Sequence, residues 1–220
     1  MSCHESEQSA ARWQALLSNL GTGLGTPSHR GAMLFELLQQ QYATEQRVYH
    51  GLKHVLHMLD VIDTLSRFAA DPGAVRLAAW FHDIVYDPTV SAGRNEEQSA
   101  AYAARVLPAL GLGPKRIAEI ERLILLTKDH RVESGDGNGA VLVDADLAIL
   151  GEEQPLYQDY ARAIRAEYAW VPDEAYRQGR LRVLRDFLNR DHIYHTPPMR
   201  QQCEARARRN LAAEINSLQK

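Results

Sequence analysis

The sequence predicts an all-α protein, on three observations. Apolar residues recur at helical spacing, most plainly at Leu52, Val55, Leu56, Leu59, Ile62 and Leu65, and then at Ala74, Leu77, Ala78 and Phe81. Alternation of the strand kind is scarce. Proline and glycine fall where helices begin and end, as at Pro114 directly after Gly113.

Taken in order, helices are expected near 8–20, near 30–44, over the two segments just named, and near 95–110, 114–127, 154–168, 173–190 and 199–217. Asp87-Pro88 through Gly93 reads as a connecting loop. Gly135-Asp136-Gly137-Asn138-Gly139 reads as a flexible turn, a hinge that lacks the Gly-Lys-Ser/Thr ending of a phosphate-cradling loop. The apolar run over 140–150 resembles a strand, but its Asp144-Ala145-Asp146-Leu147-Ala148 portion favours a helix start, because Asp accepts hydrogen bonds from the free amides of a first turn. No repeat or Pro- or Ser-rich linker divides the chain, so a single domain over 1–220 with a C-terminal helical extension is expected.

At 220 residues the chain can bury a full core, and 45% hydrophobic with 24% charged residues excludes wholesale disorder and a disulfide scaffold. A net charge of -3 and a pI near 6.3 argue against a partner of long nucleic acid, which calls for a basic track. Eleven arginines between Arg162 and Arg209 alternate with acids such as Glu167, Asp173, Asp186, Asp191 and Glu204, the pattern of an ion-paired, solvated helix surface. Cys3 and Cys203 belong to no paired-cysteine motif, the N-terminal residues have no apolar core, and no run approaches a membrane span. A reduced, cytoplasmic protein without membrane partners is expected.

Histidines and carboxylates punctuate otherwise apolar segments at Tyr49-His50-Gly51-Leu52-Lys53-His54, Trp80-Phe81-His82-Asp83, Lys128-Asp129-His130 and Val143-Asp144-Ala145-Asp146. His50 and His54 are four apart and share a helix face, with His57 a further turn along. If the helices pack as a bundle, His54, His82, Asp83 and either Asp144 or Asp146 bring two imidazoles and two carboxylates to one cation. Mixed nitrogen and oxygen ligation suits Mn, Fe, Co, Ni or Zn, with Mg also open, and free coordination positions would admit water and a substrate oxygen. The plainer reading is a helix-end ion pair for His82 and Asp83, and an N-cap with a first-turn acid for Asp144 and Asp146.

These strings, together with Asn-Glu-Glu-Gln-Ser-Ala over 95–100, resemble the HD superfamily of metal-dependent phosphohydrolases, and more narrowly a bacterial group of small predicted HD phosphohydrolases. The likeness runs from about 45 to 215, with its motif core over about 45–151 and the C-terminal helices over 152–217. It implies a helical HD-type bundle with His54, His82, Asp83 and Asp146 as metal ligands. Asp146 is preferred to Asp144 because it follows an alanine and opens an apolar segment, as the superfamily's last ligand does. Related cyclic-nucleotide phosphodiesterases imply that His50 protonates the leaving group. In the alarmone hydrolases of the same superfamily a Glu-Asp pair follows the doublet; here Tyr86 replaces the glutamate, leaving Asp87, and Glu96 further on, to hold or deprotonate water. His130 is a candidate for a second metal or, with Lys128, for substrate phosphate; Arg165, Arg177 and Arg180 are further phosphate candidates, each also readable as surface charge. The implied activity is hydrolysis of a nucleotide or another small phosphorylated metabolite. A metal-containing nucleotide-binding module with little turnover and a di-iron oxygenase on the same scaffold are the alternatives, and monomer and homodimer both stay open.

Overall fold

The structure, a computed structural model, describes residues 3–20, 29–91 and 93–220, and all of its regular structure is helical. The helices are α1 (Cys3–Asn19), α2 (His29–Tyr42), α3 (Leu52–Leu65), α4 (Pro72–Phe81), α5 (Arg94–Val106), α6 (Pro114–Leu126), α7 (Gly137–Asp146), α8 (Gln154–Glu167), α9 (Asp173–Leu188) and α10 (Pro197–Leu218). Short 3-10 turns follow α3, α5 and α7, at Ser66–Phe68, Leu107–Leu110 and Leu147–Gly151. No helix is long and apolar enough to cross a membrane among the described residues.

α4 occupies the centre. Asp71 caps it by accepting from the Ala74 amide at 3.0 Å, and Pro72 supplies a first position that needs no donor. Apolar residues then surround it, and Ala74, Val75, Leu77, Ala78, Ala79, Trp80 and Phe81 are all buried. A helix apolar on every side must be enclosed, and α3, α6 and α7 pack against it. Each large side chain so buried contributes about 1.5–3 kcal/mol. Trp13 of α1 closes the far side, its ring 5.5 Å from Trp80 and nearly perpendicular to it.

The far end of α4 is held by donors from outside it. The Tyr42 hydroxyl donates to the Trp80 carbonyl at 3.0 Å, and the Arg47 guanidinium donates to the carbonyls of His50, Asp83 and Ile84. One arginine therefore fixes the segment entering α3 against the segment leaving α4, where His82 and Asp83 lie.

The glycine-rich segment departs from its expected role. It is not a hinge: Asp136 accepts from the Gly139 amide at 2.9 Å and caps α7, which starts at Gly137. Gly137 is required by close approach rather than flexibility, since a Cβ there would collide with the Phe68 carbonyl oxygen. Consequently Asp144 and Asp146 do not open a helix; they lie in the last turn of α7.

The arginine-rich C-terminal half is only partly a solvated surface. Arg162 and Arg177 pair locally with Asp159 and Glu174. Arg180, by contrast, is buried and grips Glu214 of α10 through two bonds of 2.8 and 3.1 Å. Arg208 donates to the carbonyls of Leu188, Arg190 and Asp191, and Glu204 accepts from the Ile193 and Tyr194 amides, so the α9–α10 connection is pinned to α10. α10 in turn packs on Leu147–Gly151, directly behind Asp146.

Candidate metal centre

Three helix ends converge. His54 stands in the first turn of α3, His82 is the residue that closes α4, and Asp146 is the last residue of α7. Two of these ends are C-terminal, where the helix dipole is negative and favours a cation. One donor atom from each of the three residues lies within 4.8 Å of the other two. His54 Nε2 is 3.3 Å from His82 Nε2 and 3.1 Å from Asp146 Oδ1, while His82 Nε2 is 3.8 Å from that oxygen. Asp83 joins through its Oδ2, 2.9 Å from His82 Nε2.

The proton count in this cluster is the informative feature. His82 Nδ1 lies 2.9 Å from the Ala79 carbonyl oxygen, which can only accept, so Nδ1 carries the proton and Nε2 of the neutral ring is a lone pair. That lone pair faces a carboxylate and a second imidazole. Burial works to lower the His82 pKa, but Asp83 and Asp146 override it and push it up to about 9. Burial likewise works against charge on Asp83 and Asp146, yet the surrounding histidines hold both below the usual carboxylate range. His54, buried beside His82, is pushed down despite Asp146.

A divalent metal fits this donor set. Nitrogen and oxygen ligands at about 2.1 Å from an ion are separated from one another by about 3.0–3.4 Å at right to tetrahedral angles, which matches the 3.1 and 3.3 Å from His54 to Asp146 and His82, while His82 and Asp146 stand wider at 3.8 Å. Such an ion would take the place of the proton that His82 Nε2 otherwise directs at Asp83. The remaining nitrogen of His54, Nδ1, is buried with no hydrogen-bond partner, and the Tyr49 ring packs on that imidazole with centroids 4.8 Å apart.

His130 belongs to the cluster. Its Nε2 is 3.0 Å from Asp146 Oδ2, the oxygen that His54 does not use. The residue sits just beyond α6 at φ 55, a left-handed conformation that is uncommon for a side chain larger than glycine. Its amide donates to the Leu126 carbonyl at 2.8 Å, and its own carbonyl accepts from Arg190 at 3.1 Å. Glu96 lines the same cavity, and its Oε2 is buried without a partner. Burial, with help from Asp83, pushes its carboxyl pKa upward.

His50 lies beside the cluster in a different setting. Its Nδ1 is 2.6 Å from Glu167 Oε2, and Glu167 also accepts from the Tyr49 amide at 2.7 Å, the His50 amide at 3.0 Å and the Tyr86 hydroxyl at 2.7 Å. The Tyr86 ring stacks on His50 at 4.6 Å. Burial works to lower the His50 pKa, but Glu167, Asp83 and Asp146 raise it above its ordinary value.

Other expected participants stand elsewhere. Asp144 is fully buried on the opposite side of α7, accepting from the His195 and Thr196 amides at 2.7 Å each, with burial pushing its carboxyl up to about 6. Asp87 does not line the cavity; it is exposed and accepts from the Thr89 amide and hydroxyl, as loop chemistry demands. Lys128 is likewise outside, in a surface ion pair with Glu97 at 2.8 Å. Arg165 is taken by Asp173 and two carbonyls, Arg177 by Glu174 and Arg180 by Glu214. No Lys or Arg is among the described residues lining the cavity of about 190 Å³.

Two residues of the site escaped the sequence reading: Glu167, which was grouped with surface acids, and Tyr49, whose hydroxyl is buried and unpartnered. A signal for Glu167 existed, since Tyr157, Tyr160, Ile164 and Glu167 fall on one face of α8 at helical spacing. Comparison with protein-family models, curated proteins and solved structures gave no match.

Proposed function

We propose that this protein is a metal-dependent phosphohydrolase of the HD type, acting on a small phosphorylated compound. The observation that carries the reading is the convergence of His54, His82 and Asp146 from three helix ends at ligand-to-ligand spacing. Asp83 completes the set suggested by the sequence resemblance, and His130 supports Asp146 from its other oxygen.

A divalent cation held there supplies Lewis acidity and lowers the pKa of a bound water toward neutrality. The chain supplies the rest. Protonated His50, held in orientation by Glu167, donates a proton to the leaving oxygen, a contribution of about a hundred- to ten-thousand-fold. Glu96, with an open carboxylate oxygen, accepts or steers a proton of the attacking water. The cavity carries Asp83, Glu96 and Asp146 but no Lys or Arg among the described residues, so a phosphoryl group there relies on a cation, beside the histidines, to offset its charge. The dinuclear redox alternative recruits both His50 and His130 as ligands; the His50 Nδ1 bond to Glu167 suits proton transfer through Nε2 better.

Phosphate release tests this reading: nucleotides, sugar phosphates, oligonucleotides and phosphopeptides, each with Mn, Mg, Co and Ni and again with chelator. Cation-dependent turnover of small compounds is expected. Equal rates in chelator, or turnover confined to polymers, would overturn it.

A further inference from the structure

No guanidinium lines the metal cavity among the described residues, yet a buried one stands a single side chain behind its wall. Arg180 of α9 donates to Glu214 of α10 through Nε at 2.8 Å and Nη2 at 3.1 Å. Its remaining nitrogen, Nη1, donates to the hydroxyl oxygen of Tyr160 on α8 at 3.2 Å, and the guanidinium carbon lies 5.2 Å from the centre of that ring. Tyr160 lines the metal cavity; Arg180 does not.

The direction of these bonds matters. A guanidinium has donors only, so the Tyr160 oxygen is the acceptor and its own proton is left over. The one hydrogen bond of that hydroxyl among the described residues is the one it accepts. A hydroxyl that accepts from a cation is a stronger donor than a free one, because the two bonds polarise each other in the same sense. Other contacts fix the ring: Tyr49 meets it edge-on at 4.7 Å, and Tyr157, 5.6 Å away, donates to the same Glu214 that holds Arg180. Tyr49 continues the row toward the metal cluster, its ring packed on His54 at 4.8 Å.

We infer that Tyr160 contacts the substrate, its hydroxyl donating to a phosphoryl oxygen in the metal cavity, and that Arg180 is the positioning residue that turns this proton inward. The inference rests on the phosphohydrolase reading. A phosphoryl group has oxygens beyond those a cation takes, and a phenol donates to one of them without burying another full charge in the cavity. Arg180, a phosphate candidate by sequence, thus acts on phosphate through Tyr160 and not by contact. The C-terminal helices gain a part in the chemistry, since α9 and α10 hold the ion pair that aims a side chain of α8.

Inorganic phosphate binding to the full chain loaded with Mn, measured by calorimetry, reads this contact without turnover. The wild type is compared with Tyr160→Phe, with Arg180→Met/Glu214→Gln, which replaces the buried pair by two uncharged side chains, and with the triple variant, each checked by thermal unfolding. Tyr160→Phe is expected to bind Mn as the wild type does, to bind phosphate about tenfold more weakly and to turn over about tenfold more slowly. The pair variant is expected to lose phosphate affinity by a similar factor, and the triple variant no more than that, because both changes remove one contact. Should the pair variant not fold, Arg180→Lys takes its place, with a loss of phosphate affinity expected in the wild-type background and none in Tyr160→Phe. Unchanged phosphate affinity in Tyr160→Phe, loss of Mn from it, or losses that add when the changes are combined would overturn the assignment. If the Mn-loaded wild type neither binds phosphate nor hydrolyses a phosphomonoester, the hydrolytic reading falls and takes this one with it. If it hydrolyses and Tyr160→Phe matches it, the Tyr160 assignment alone falls.

Discussion

Glu167 Oε2 lies 2.6 Å from His50 Nδ1 across 117 residues of chain, and the same carboxylate accepts the amides of Tyr49 and His50 and the hydroxyl of Tyr86. One buried acid thus sets the position, tautomer and proton affinity of the histidine that borders the metal cluster.

Glu167→Gln should retain metal and lower turnover by about ten- to a hundredfold near pH 8. The sign follows from the raised pKa of His50: protonation stabilises the folded protein fully below the unfolded value of about 6.5, and that contribution is lost as pH rises through the higher folded value. Without the carboxylate the folded value falls, so the alkaline limb of the rate profile should move to lower pH. An unmoved limb would remove His50 from the role of acid.

Tyr49→Phe should separate stability from function. Removing a buried hydroxyl that has no partner is expected to raise the apo protein's stability by about 1 kcal/mol, read in a denaturant titration, while kcat/KM is expected to drop about tenfold because Tyr49 lines the cavity beside the metal cluster. Lower stability with undiminished turnover would make the hydroxyl structural.

Asp144→Ala and Asp146→Ala should diverge. Asp144 holds the amides of His195 and Thr196, so its loss should cost about 2 kcal/mol or more with metal retained. Asp146 faces His54 and His130, and its loss should empty the metal site. Elemental analysis beside thermal unfolding distinguishes the two.

Asp87→Ala and Lys128→Ala, both exposed and outside the cavity, should keep turnover within about twofold, as surface substitutions usually do. A large loss in either would return that residue to the site.

Helix periodicity carried most of the fold: α3 and α4 lie where the spacing of Leu52 to Leu65 and Ala74 to Phe81 places them, and the C-terminal helices fall within a few residues of their expected spans. It failed at α7, because Gly135 to Gly139 has turn propensity and only the cap by Asp136 and the close approach to Phe68 reveal a helix start. That error put Asp144 and Asp146 at a helix start instead of a helix end, although Asp146, the preferred ligand, is the one that joins the cluster. His54 and His82 were legible because imidazoles inside apolar helices stand out. Glu167 was not, since an acid among arginines reads as surface until α8 is docked, and His130 required a left-handed backbone that spacing does not encode.

Metal stoichiometry tests the central claim most directly. Wild type and His82→Ala, purified without chelator, are equilibrated with Mn(II) and analysed for bound metal and thermal stability. One ion per chain is expected in the wild type, stabilising it by about 2.7 kcal/mol at a hundredfold excess over Kd, and none in His82→Ala. A wild type that binds no ion, or a His82→Ala protein that binds as much, would contradict the assignment of His54, His82, Asp83 and Asp146 as a metal centre.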